Sequence, residues 1–115
     1  EYPYIDKEIY ENTRKFILSK RNNFYYDGKY IKGIGSPHTP KETVWSLAVI
    51  MQGLTTYNEN EIKECLSMLL STDAGTELMH ESININDPAI FTRSWFGWAN
   101  SLFAEFCLRK IFKLF

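Results

Sequence analysis

Apolar residues recur at helical spacing over four stretches of the chain, and no stretch alternates with the period of two that marks a half-buried strand. Ile5, Ile9, Phe16 and Ile17 predict a first helix over about 5–20, closed by the polar run Lys20-Arg21-Asn22-Asn23. A second helix is predicted to start sharply. Thr39 suits the N-cap, Pro40 the first helical position, and Glu42 the returning bond of a capping box. Val44 to Leu54 is then apolar on nearly every side, as in a helix buried between neighbours. Asn58 and Glu61 repeat the capping pattern ahead of a one-faced stripe, Ile62, Cys65, Leu66, Leu69 and Leu70. A fourth helix is expected from about Trp95 to Phe112.

The connections alternate in length. Links 21–39 and 72–94 are long, whereas Thr55 to Asn58 is a tight turn. If successive helices run antiparallel, both long links emerge at one end of the helices. Loops above about 12–15 residues in a compact domain are more often functional than filler. The stiff, polar and aromatic segments Gly33–Pro40, Met79–Ser82 and Thr92–Phe96 all lie in or beside these links, so His38 and Glu81 are expected to share one face.

Composition narrows the class. A chain of 115 residues fits one domain, and 44% hydrophobic with 16% aromatic residues argues against disorder. So many rings suggest that some face a ligand or a further part of the protein. A net charge of −1 leaves no electrostatic footprint for nucleic acid or an anionic membrane. The longest apolar run, Leu47 to Met51, falls far short of the roughly 20 residues of a membrane span. No secretory signal is visible. Cys65 and Cys107, each on an apolar helix face, read as buried free thiols rather than a disulfide or metal site. They fit a reducing compartment and a cytoplasmic location.

Several segments, in their order and spacing, resemble the C-terminal portion of glycoside hydrolase family 125, the exo-acting α-mannosidases. They are Gly-Ile-Gly-Ser-Pro-His-Thr-Pro at 33–40, Ile50-Met51-Gln52-Gly53-Leu54-Thr55, Asp73-Ala74-Gly75-Thr76, Met79-His80-Glu81-Ser82 and Phe91 to Leu102. Matching segments run from Tyr2-Pro3-Tyr4 to about Phe103. Ser46 and Ser94 depart from the pattern, standing after Trp45 and before Trp95 where the family has Pro. The resemblance implies an all-α fold, with residues 1–115 forming the C-terminal segment of a single (α/α)6 catalytic domain. Four of its twelve helices would be present, with two long active-site loops at one end. It further implies an inverting, metal-independent enzyme without a cofactor, selective for terminal α-1,6-linked mannose. The partners implied are an α-mannoside and the N-terminal part of the same domain, with neither nucleic acid nor membrane.

Inversion needs a protonated acid beside the leaving oxygen and, about 6.5–9.5 Å away, an ionised base that holds the attacking water. By the resemblance Glu81 is that base. Between His80 and Ser82 it could be kept ionised and oriented by their side-chain donors, although a loop Glu can also be a simple brace. No residue matches the family's acid, an Asp from earlier in the chain. Asp73 and Asp87 are the local alternatives; Asp73 matches a family position but not the acid's, and Asp87, before Pro88, reads as a helix-start or turn cap, so the chain alone is expected to be inactive. Ser36, His38, Thr39, His80, Arg93 and Trp95 are the candidate substrate-binding residues. His38 follows Pro37 and could hold a sugar hydroxyl or brace its own loop. His80 could bind sugar or only orient Glu81. A zinc-protease role for His80-Glu81 fails for want of a second His four residues on. The planar fork of Arg93 suits paired hydroxyls, Glu81 or a structural salt bridge. Trp45 and Trp95 could stack on a pyranose or pack at a helix start. Gly33 and Gly35 read as a close approach of backbone to ligand, not as a phosphate cradle. The competing reading is a non-catalytic helical fragment, a weak mannose-binding or assembly module whose uncovered apolar faces would self-associate.

Overall fold

Asp6 starts the first helix by accepting the backbone N–H of Ile9 (3.1 Å), and α1 then runs Lys7–Ile17. The structure is a computed structural model describing residues 6–115, so Tyr2-Pro3-Tyr4 and Ile5 lie outside the described residues. No residue of α1 is buried, and its expected stripe, with Ile9 and Phe16, stands exposed. Polar bonds fasten α1 to the rest. Arg14 donates to Thr55 Oγ1 (2.9 Å), Gln52 O (3.2 Å) and Glu61 Oε1 (2.6 Å), and the Tyr10 hydroxyl donates to Thr55 O (2.9 Å). An apolar groove of about 660 Å³ opens between α1 and the second helix, lined by Ile9, Ile17, Leu18, Ile34 and Met51 among others.

The helical core is made by α2 (Ser46–Leu54), α3 (Glu59–Ser71) and α4 (Gly97–Phe106), the last continuing into a π-helical turn, Cys107–Ile111. Asn58 caps α3 as expected, its Oδ1 accepting from the N–H groups of Asn60 (2.9 Å) and Glu61 (3.1 Å). Val49, Ile50, Cys65, Leu69 and Phe106 are fully buried where these helices meet, whereas Leu70 is exposed. At Gly53 the approach is so close that a Cβ would lie 2.5 Å from the Phe106 ring.

The long links are not plain loops, and this corrects the all-α expectation. The first contains an antiparallel hairpin of β1 (Tyr25–Asp27) and β2 (Lys32–Ile34). A second sheet joins the two links: β3 (Thr43–Trp45) pairs with β4 (Ser82–Asn84), which pairs with β5 (Phe91–Thr92). Strands of two or three residues are too short to display alternation along the sequence. Thr43, Val44 and Ile83 do carry the β-branched chemistry of strands, and all three are buried.

The start of α2 is also corrected. The Thr39–Pro40–Glu42 capping box does not form, because Thr43–Trp45 is claimed by β4 and the helix begins only at Ser46. Glu42 adopts a left-handed φ of 60°, which no first-turn helical residue has. Its carbonyl accepts from the N–H of Ile85 (3.0 Å), another bond between the links.

Candidate active site

Glu81 lies immediately ahead of β4, its backbone N–H donating to Thr92 O (3.1 Å). Its carboxylate is held by Arg93, whose Nε lies 3.1 Å from Oε2. The glutamate side chain is 18% exposed and the arginine 66%, so the pair stands at the surface with the acid the more covered of the two. Arg93 directly follows β5 with a φ of 50°. A left-handed conformation costs a non-glycine residue about 1–3 kcal/mol and persists only where the surroundings impose it.

The neighbours expected to orient Glu81 are otherwise occupied. The Ser82 and Thr92 hydroxyls share a hydrogen bond of 2.6 Å across β4 and β5. The His80 ring is 1% exposed, with Nδ1 3.0 Å from Ser94 O, Nε2 3.1 Å from Asp73 O, and Phe91 stacked on its face. The side chain that bonds the Glu81 carboxylate is that of Arg93, not that of His80 or Ser82.

On the other flank of β4, the Trp45 indole Nε1 donates to Thr39 Oγ1 (3.0 Å), while Trp45 itself pairs with Ser82. Phe96 meets the Trp45 ring edge to face, with centroids 6.2 Å apart. Through this bond the 33–40 segment is carried onto the sheet that bears Glu81. Ser36, His38 and Thr39 form one turn: the Ser36 hydroxyl accepts from His38 N–H (3.1 Å) and its carbonyl from Thr39 N–H (3.3 Å). The His38 ring is exposed, and no hydrogen bond or ion pair among the described residues joins it to Glu81. Trp95 is exposed as well, lying over Gly97.

Local turns and close packing account for five further residues. Asp73 Oδ1 accepts from Gly75 N–H (2.9 Å) and Asp87 Oδ1 from Ala89 N–H (3.0 Å), so both carboxylates close local turns. A Cβ on Gly35 would lie 2.3 Å from the carbonyl of Thr43, and one on Gly33 2.9 Å from Val44. These glycines therefore admit the protein's own chain, not a ligand. Ser46, one of the two departures from the family pattern, uses its hydroxyl to donate to the carbonyl of His80, a bond that proline could not make.

Sequence reasoning marked the segment Thr92–Phe96 but gave Thr92 and Phe96 no role of their own; the bond from Thr92 to Ser82 becomes legible only once β5 is known. Elsewhere, burial pushes the Cys65 thiol up to about 12 and raises Cys107 as well; both cysteines are free. No helix is long and apolar enough to cross a membrane among the described residues.

Comparison with known proteins gives this geometry a context. Residues 1–108 match the family described as metal-independent alpha-mannosidase (GH125). The meiotically up-regulated gene 157 protein of Schizosaccharomyces pombe is 49% identical over 104 residues, 90% of this chain and 20% of that protein. A Streptococcus pneumoniae metal-independent alpha mannosidase, solved as a non-productive complex with alpha-1,6-mannobiose, superposes with a TM-score of 0.88 at 44% identity. That match covers 91% of this chain and 25% of the bacterial one. The chain thus spans a fifth to a quarter of the length of these relatives. It belongs to the family of metal-independent alpha-mannosidases, GH125.

Proposed function

We propose that this chain is the base-bearing C-terminal part of an inverting exo-α-1,6-mannosidase that releases terminal mannose without metal or cofactor. The observation that carries this reading is the Glu81–Arg93 pair, set at the surface beside the strands that stitch the two long links together, in a chain of mannosidase family. Glu81 takes the proton of the attacking water as that oxygen bonds to the anomeric carbon. The acid, an Asp from the preceding part of the domain, protonates the departing oxygen from the other face. No covalent intermediate forms. Arg93 holds and aims Glu81; Ser36, His38 and Thr39 offer donors and acceptors to sugar hydroxyls, and Trp95 offers a flat apolar face.

On this reading the earlier helices of an (α/α)6 toroid cover the groove between α1 and α2. The exposed stripe of α1 and the exposed Met51 of α2 support that placement, since each is an apolar surface with nothing packed on it among the described residues.

The test is hydrolysis of α-1,6-mannobiose by the complete protein, following the released anomer by proton NMR. First-formed β-mannose supports the proposal. First-formed α-mannose contradicts inversion, and no release contradicts the substrate.

A further inference from the structure

We infer that His80 is held as an imidazolium, a two-armed cationic clamp that fixes the backbone on both sides of Glu81. Both ring nitrogens lie at hydrogen-bonding distance from carbonyl oxygens, Nδ1 to Ser94 (3.0 Å) and Nε2 to Asp73 (3.1 Å). A carbonyl only accepts, and a neutral imidazole has one N–H to give. A neutral ring would therefore set one nitrogen lone pair against a carbonyl lone pair in the interior, where an unmet polar group is costly. The cation satisfies both carbonyls at once.

A second observation points the same way. The Phe91 ring lies parallel to the imidazole at 8°, with centroids 3.9 Å apart, placing an aromatic face against the ring where positive charge is favoured. From the helices, α2 and α3 bring only uncharged groups to this place, Ser46 and Leu69, and Thr72 follows at the end of α3. The charged groups of the surrounding links are the Asp73 carboxylate, which accepts from Gly75 N–H, and the Glu81–Arg93 pair at the ends of β4 and β5.

The arms of the clamp reach the turn after α3 and the residue next to Arg93, while Ser46 holds the His80 carbonyl. His80 thereby fixes where both members of the Glu81–Arg93 pair leave the sheet. It is a positioning residue, buried away from any substrate. The positioning role rests on the proposed function; the charge on the ring does not.

Two measurements on the complete protein separate these claims. In protein labelled with 15N-histidine, long-range proton–nitrogen spectra at neutral pH are expected to show both His80 ring nitrogens protonated, with His80→Gln assigning the signals. One protonated and one lone-pair nitrogen would overturn the clamp. In kinetics, His80→Phe keeps the stack on Phe91 but removes both donors. It is expected to lower kcat by about tenfold or more with little change in KM, and His80→Gln, which restores a donor, to recover part of the loss. Unchanged kcat in folded His80→Phe would overturn the positioning role. A wild-type protein that releases no mannose would overturn the proposed function and that role together, while the spectrum still decides the charge.

Discussion

Arg93 grips the carboxylate of Glu81 through Nε at 3.1 Å, from a backbone held at a left-handed φ of 50° directly after β5. The strain and the ion pair belong together, because the unusual φ sets where the guanidinium leaves the chain. Arg93→Lys keeps the charge but loses the planar fork. It is expected to lower kcat about tenfold or more, with KM changing less, in the complete protein acting on α-1,6-mannobiose. A rise in KM alone would instead assign Arg93 to the sugar's hydroxyls.

Gly35 is predicted to be intolerant for a packing reason. Alanine there would drive its Cβ to 2.3 Å from a backbone carbonyl, which has no flexible end to move aside. Gly35→Ala is expected to destabilise by about 1–3 kcal/mol, and to displace Thr39 and Trp45 with the 33–40 segment. Denaturant midpoints and proteolysis at that segment measure both effects.

The Arg14–Glu61 bond, 2.6 Å long, makes the attachment of α1 sensitive to acid. Burial pushes the Glu61 carboxyl up, but hydrogen bonds from Thr56, Gln52 and Arg14 outweigh it and hold the group below its usual value. A carboxyl lowered by folding adds stability above its ordinary range of about 4.5, and the gain is lost as pH falls through the folded value. Glu61→Gln should therefore weaken protection of α1 at neutral pH and match wild type in strong acid. Hydrogen exchange of the α1 amides across that range measures the difference.

The Cys65 thiol, buried and pushed up to about 12, should resist alkylation in the native protein and react once it unfolds. Labelling with iodoacetamide, with and without denaturant, tests this. Fast native labelling would contradict the packing of α3 against α2.

What could be read from the chain alone follows the length scale of the signal. Asn58 with Glu61 marked the start of α3 because a cap is a local interaction, complete within one turn of backbone. Thr39 with Pro40 and Glu42 offered the same local pattern, yet β4 arrives from the other link, takes Thr43–Trp45 into a ladder and delays α2 to Ser46. Pairings such as Val44 with Ile83 join residues far apart in the chain and leave no period in the sequence. Glu81 stood out as a carboxylate, and Arg93 was legible as a group that could pair with it, beside two other roles between which sequence does not choose. His80 and Ser82 flank Glu81 in sequence, but their side chains bond to Ser94, Asp73 and Thr92, and Arg93 reaches the carboxylate from just beyond β5. The exposed stripe of α1 was legible as an amphipathic face.

The central claim is that Glu81 removes the proton of the attacking water. Glu81→Gln keeps the shape of the side chain and its place beside Arg93 but cannot accept that proton. In the complete protein acting on α-1,6-mannobiose, kcat is expected to fall by about a hundredfold or more, with mannose binding by calorimetry within a few-fold of wild type. Turnover within a few-fold of wild type would contradict the assignment of Glu81 as the base.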